Sequence, residues 1–121
     1  MEIGIKNVIE IKVTKENTAA ALGSGTLSVF ATPAMIALIE QTAWKSVEPY
    51  LDEGQGTVGT KLDISHLSPT PVGMTVKCET ELTGIDGRCL RFEANVYDET
   101  GLIGKGVHER FIISSDKFQI K

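Results

Sequence analysis

The sequence predicts an α+β domain in which one long helix packs on a five-stranded antiparallel sheet, in the order β-α-β-β-β-β. Three observations predict it. One long amphipathic stretch runs from residue 32 to about residue 48; four strand-like stretches follow at regular spacing with turn residues between them; one β-branched stretch precedes it. At 121 residues and 13.1 kDa the chain can bury one hydrophobic core, so residues 1–121 are read as a single domain.

Taken in order, residues 3–13 contain Val8, Ile9, Ile11 and Val13, a partly alternating β-branched set that reads as the first strand. Residues 14–27, with Gly23-Ser24-Gly25, read as a loop or irregular turn. The helix then begins at Thr32, whose hydroxyl suits an N-cap, and Pro33 suits the first helical position because it has no N–H to leave unpaired. Pro49, followed by Gly54 and Gly56, ends it. At about 100° per residue, Ile36, Ile39, Ala43, Val47 and Tyr50 fall on one stripe, with Trp44 at its border and Gln41, Lys45 and Glu48 opposite. Residues 57–65, 74–82, 89–97 and 104–113 supply the remaining strands. They are divided by Pro69-Thr70-Pro71-Val72-Gly73, by the hairpin signal Asp86-Gly87 and by Asp98-Glu99-Thr100-Gly101. A single helix cannot cover both faces of such a sheet or protect its edges, so a homodimer that extends the sheet is expected.

Several function classes are excluded at this level. Twelve basic against 16 acidic residues give a net charge of -4, which supplies no basic surface for nucleic acid. No apolar run approaches the roughly 20 residues of a membrane span, and residues 1–10 lack the basic start and apolar run of a secretory leader, so export is not expected. A hairpin centred on Gly84–Gly87 would set Cys78 opposite Glu93 and Cys89 opposite Leu82, too far apart for a disulfide. Free thiols in a reducing cytoplasm follow, and two cysteines with two separated histidines match no structural zinc spacing. No metal or cofactor is expected. Gly23-Ser24-Gly25 lacks the lysine of a phosphate loop, Gly104-Lys105-Gly106 lies in a strand, and there is no Gly-x-Ser-x-Gly nucleophile elbow.

Glu40 is the anomalous residue. Helical spacing puts it inside the apolar stripe, between Ile36 and Trp44, where burial would penalise its charged form. Carboxylates so placed concentrate at active sites, although a glutamate that reaches out at the helix border fits the same spacing. His66 stands where a strand meets a loop, a position that holds functional groups on a rigid base, and an imidazole near such a carboxylate makes an acid/base pair; a structural histidine is the alternative. Thr32 reads first as the N-cap, with the helix N-terminus also able to face developing negative charge. Gly59, inside a strand, marks a bulge, a bend or a place where a ligand nears the backbone. His108 reads as part of a surface ion-pair group with Glu109 and Arg110, and Arg88, Arg91, Lys105 and Arg110 read as ordinary solvated charges.

These pieces resemble the fluoroacetyl-CoA thioesterase branch of the hotdog-fold thioesterases. The matching text is Val29-Phe30-Ala31-Thr32-Pro33, Leu38-Ile39-Glu40, Pro49-Tyr50-Leu51, Gly54 through Thr60, His66 with Thr70-Pro71-Val72-Gly73, and Gly104 through Arg110. The resemblance implies a hotdog fold and hydrolysis of an acyl-CoA thioester by a threonine, glutamate and histidine group, which by motif falls on Thr32, Glu40 and His66, with Gly59 as the backbone glycine of the substrate site. Glu40 would act as nucleophile or as base for water, His66 as proton shuttle, and Thr32 with the Gly59 N–H would position the carbonyl. Eight helical residues set Thr32 about 12 Å from Glu40 along the axis, so either the substrate spans that distance or the site draws groups from two protomers near a dimer interface. Residues 14–27 are shorter than the segment before the helix in the fluoroacetyl-specific enzyme and carry no Phe, Tyr or Trp, which implies a broader or different short acyl group. A hotdog hydratase would need an Asp-x-Asn-Pro-x-His-like motif, which is absent. A non-catalytic acyl-CoA-binding or sensing module is the alternative expectation.

Overall fold

The computed structural model describes residues 1–121. The order is β1 (Lys6–Lys12), a 3₁₀ turn (Lys15–Asn17), α1 (Ala19–Leu22), α2 (Thr32–Val47), a second 3₁₀ turn (Glu48–Tyr50), then β2 (Gln55–His66), β3 (Thr75–Asp86), β4 (Cys89–Asp98) and β5 (Gly101–Ser114). All pairings are antiparallel and the sheet order is β1-β3-β4-β5-β2, so β1 and β2 are its edges. The expected architecture is the observed one. No helix is long and apolar enough to cross a membrane.

The core lies between α2 and one face of the sheet. Val76, Cys78, Thr80 and Leu82 of β3 are buried and alternate with half-buried neighbours, and Leu90, Phe92, Ala94 and Val96 of β4 are buried and alternate with exposed or half-buried ones. Met35, Leu38 and Ile39 meet Val76, Val96 and Ile103 at one end of the helix, and Ala43 and Val47 meet Leu82, Leu90 and Phe92 at the other. Gly104 makes the first of these contacts possible, because a Cβ there would lie 2.5 Å from the Met35 sulfur.

Four local expectations are corrected. The helix is capped by Ala31, not Thr32, with no side-chain cap bond, and Thr32 already stands in its first turn. The buried stripe is rotated toward Met35, Leu38, Thr42 and Ser46, and Tyr50 is exposed. Thr42 and Ser46 can be buried because their hydroxyls donate to the carbonyls of Leu38 (2.7 Å) and Ala43 (2.6 Å) inside the helix. Residues 14–27 are more ordered than a loop: Thr18 accepts from Ala21 N, Gly23 ends α1 in a left-handed conformation, and Thr18 bridges to Phe30. The β3–β4 turn falls two residues later than expected, around Gly87-Arg88, which with a bulge between Leu82 and Gly84 pairs Cys78 with Val96 and Cys89 with Asp86. Both cysteines are free.

Candidate functional site

Thr32 is released for other work by being inside the helix rather than at its cap. Its Oγ1 lies 2.7 Å from Nδ1 of His66, the last residue of β2. The imidazole Nε2 is buried and has no hydrogen-bond partner. Desolvation lowers the pKa of His66, with the nearby Ser68 backbone opposing, which favours the neutral ring, able to accept a proton. A cavity of about 280 Å³ opens beside the pair, walled by Ala19, Val29, Phe30, Leu67 and Pro69.

Glu40 lies two turns further along α2. The rotation of the helix corrects its predicted place: it sits at the border of the buried face, with its side chain 37% exposed, and its Oε2 accepts from Arg110 Nη1 at 3.1 Å. Arg110 is the group that is buried, its side chain 7% exposed. Its Nε donates to Thr57 Oγ1 (2.8 Å), its Nη2 to the Thr57 carbonyl (3.1 Å) and its Nη1 also to His108 Nε2 (3.1 Å). Burial pulls the guanidinium pKa down and the ion pair with Glu40 opposes it.

Gly59 completes this second group. The β2–β5 register shifts between Gly59 and Lys61, the bulge that a glycine inside a strand announced. A Cβ on Gly59 would lie 2.6 Å from Glu40 Oε2 and 3.3 Å from Arg110 Nη1, so the carboxylate can sit against the strand only because the side chain is absent.

The four predicted residues thus form two pairs, Thr32 with His66 and Glu40 with Gly59. Within one chain they are separated by about 12 Å of helix and about 23 Å of strand. Arg110 and His108 are where the sequence reading needs correction: both are buried, not solvated. The surface ion pair exists but joins Glu109 to Arg91 across the outer face, 2.9 Å apart. Thr57, His108 and Arg110 were the unrecognised members of the site. Their signal lay in strand parity, since His108 and Arg110 share a face of β5 and pair in register with Phe92 and Leu90 of β4.

Comparison with known proteins follows the same lines. The fluoroacetyl-CoA-specific thioesterase family matches residues 13–116. A fluoroacetyl-CoA thioesterase from Streptantibioticus cattleyicolor is 39% identical over 93 residues, covering 77% of this chain and 67% of that protein. The solved structure of the fluoroacetyl-CoA thioesterase FlK is similar with a TM-score of 0.92 at 32% identity, over 98% of this chain and 92% of that one. A mutant of FlK in complex with fluoroacetate and CoA gives a TM-score of 0.93 at 32% identity, over 98% of this chain and 100% of that one. A thioesterase superfamily member from Thermus thermophilus gives 0.89 at 30% identity, over 96% and 86%.

Proposed function

The chain belongs to the fluoroacetyl-CoA-specific thioesterase family, with a hotdog fold and thioester hydrolase activity, and from that premise we propose that it hydrolyses a short acyl-CoA using Thr32, Glu40 and His66. The observation that carries the reading is the Thr32–His66 pair, a hydroxyl 2.7 Å from a neutral imidazole whose other nitrogen is unpartnered. Glu40 supplies the carboxylate, held in place by Arg110. Either it attacks the thioester carbonyl, or it takes a proton from the water that attacks. In the first route the C–S bond breaks as an acyl–Glu40 anhydride forms and CoA leaves as a thiolate, and water then cleaves the anhydride to return the Glu40 carboxylate and the free acid; in the second, water adds to the carbonyl directly as the C–S bond breaks. In both, the proton released by that water reaches the CoA sulfur through His66. The Thr32 hydroxyl and the Gly59 N–H position the carbonyl. Residues 14–27, which reach the small cavity beside Thr32 through Ala19 and Ser24 and carry no Phe, Tyr or Trp, support a broader or different short acyl group.

The two pairs become one site in a homodimer. Edge strand β2 is exposed at every residue from 59 to 63, with neither the Pro nor the short length that protects solitary edges. Because of the bulge, Gly59 stands opposite Arg110 and His66 opposite Gly104, so Asp63, opposite Val107, lies midway between them along the strand. A two-fold axis there, with β2 pairing antiparallel to its copy, sets Gly59 and Glu40 of one protomer beside the partner's His66 and Thr32. Its two free thiols suit a reducing compartment, the cytoplasm, and residues 1–121 act as one domain.

Thiol release from a panel of short, branched and aromatic acyl-CoAs tests the activity, with saturable binding and no release as the outcome that favours a binding module. Co-expressed Glu40→Gln and His66→Ala subunits test the shared site. A site built from two protomers recovers about a quarter of wild-type activity, because half the dimers are mixed and each carries one intact site; a site within one protomer recovers none. Oxygen-18 found in the Glu40 carboxylate after turnover in labelled water would identify the anhydride route.

A further inference from the structure

His108 has a fully determined hydrogen-bond pattern that the reaction as described does not use. Its Nδ1 lies 2.8 Å from the Lys61 carbonyl, which can only accept, so Nδ1 carries the proton. Its Nε2 lies 3.1 Å from Arg110 Nη1, which can only donate, so Nε2 presents a lone pair. Both bonds are satisfied by one neutral tautomer. Arg110 Nη1 carries two hydrogens, one directed to His108 and the other to Glu40 Oε2. Lys61 in turn stands at the register shift that brings Gly59 against the same carboxylate.

We propose that His108 is a positioning residue: fixed as the Nδ1–H tautomer by the Lys61 carbonyl, it holds the Arg110 guanidinium through Nε2 and so sets the Glu40 carboxylate opposite Gly59. This rests on the reading of Glu40 as the reacting carboxylate. The groups facing the ring are Arg110 from β5, Glu40 from α2, the Lys61 carbonyl from β2 and the Phe92 ring from β4, stacked at 6.1 Å between centroids, with Glu109 acting on it from the opposite face of the sheet. Protonation would turn Nε2 into a donor facing a donor and put a second positive charge beside the guanidinium. Desolvation, reinforced by Arg110 and opposed by the Lys61 carbonyl and the nearby carboxylates, lowers the pKa and keeps the ring neutral.

The test separates the two ends of the ring. In His108→Asn the amide nitrogen can replace Nδ1, but nothing accepts from Arg110; in His108→Gln the amide oxygen can replace Nε2. With the best acyl-CoA of the panel, His108→Asn is expected to lose about 10²-fold in kcat, the cost of a misplaced reacting group, with little change in KM. His108→Gln is expected to stay within about tenfold of wild type. Nitrogen-15 spectra of the wild-type ring should show Nδ1–H and bare Nε2 with no titration near pH 6.5. If wild type releases no thiol from any acyl-CoA, the hydrolase reading falls and this inference with it. If wild type turns over and His108→Asn matches it, only this inference falls. Should His108→Asn fail to fold, an Nε2–H ring in wild type, or a His108→Gln enzyme that folds but has lost about 10²-fold or more, overturns it.

Discussion

The two halves of the site are built on opposite physical plans. The Thr32–His66 half is a single hydrogen bond between the start of a helix and the end of a strand, beside an open cavity, with one ring nitrogen left free. The Glu40 half is a saturated network in which Arg110 makes four hydrogen bonds, to Glu40, to His108 and twice to Thr57. On the proposed function, the difference matches what each half would do. A group that passes protons needs an unsatisfied nitrogen and a neutral ring, whereas a carboxylate that reacts at a fixed point needs its charge kept and its geometry held. The first half should therefore tolerate change in stability but not in chemistry, and the second should be sensitive in both.

The largest effect expected is on chemistry. Glu40→Gln and His66→Ala should each cut thiol release by several powers of ten, on the order of the loss of a nucleophile or shuttle in other hydrolases, with circular dichroism unchanged. Full activity in either would remove that residue from the mechanism. Gly59→Ala should come next. Its Cβ would lie 2.6 Å from Glu40 Oε2 and push the carboxylate away, and a displacement of about 1 Å is expected to cost about 10²-fold in kcat while leaving the sheet intact. Wild-type kcat in this variant would show that Glu40 does not need its place against the bulge.

Much of this is legible in the sequence. Periodicity and turn chemistry give the helix and the four strands after it, and a glycine inside a strand announces a bulge, a bend or a close approach at Gly59, of which the bulge is present. Where the reading failed, it failed for physical reasons tied to particular residues. The helix stripe was rotated because Thr42 and Ser46 looked polar, yet their hydroxyls are satisfied by the helix itself and need no water. Thr32 looked like a cap because caps and helix-initial threonines share a sequence signature; its bond to His66 is a tertiary contact that no local pattern contains. Arg110 and His108 looked solvated because charged residues are rarely buried without a partner. The partners of Arg110, Glu40 and Thr57, lie 70 and 53 residues away in sequence, and the Lys61 carbonyl that meets His108 lies 47 away.

The stability of the two halves should separate in the same way. Arg110→Met removes the hub of the Glu40 half and leaves the Thr57 and His108 groups unpaired. We expect a loss of about 2–3 kcal/mol in denaturant unfolding, moderated by the partial exposure of Glu40. A loss under about 0.5 kcal/mol would mean that the network contributes placement without stability.

Acid should act on both halves. His66 and His108 both have lowered pKa values in the folded chain, led by desolvation, while the unfolded chain titrates near the ordinary value of about 6.5. Below that value the unfolded state binds protons that the folded state refuses, so stability falls as pH drops from about 6.5 toward the folded pKa values and is flat above about 7.5. Each fully refused proton gives a slope of up to about 1.4 kcal/mol per pH unit. His108→Gln should reduce that slope; an unchanged acid limb would assign the effect to other groups.

The smallest expected change completes the contrast. If Thr32 were the helix cap, Thr32→Ala would cost about 1 kcal/mol, the usual value for a lost capping hydroxyl. Ala31 holds that position without a side-chain bond, and the Thr32 hydroxyl is spent on His66 at the surface. Thr32→Ala should therefore shift unfolding by no more than about 0.5 kcal/mol, and thiol release should still fall, because the imidazole loses the group that orients it. A stability loss near the capping value, with turnover unaffected, would reverse the assignment and return Thr32 to the role that its sequence position first suggested.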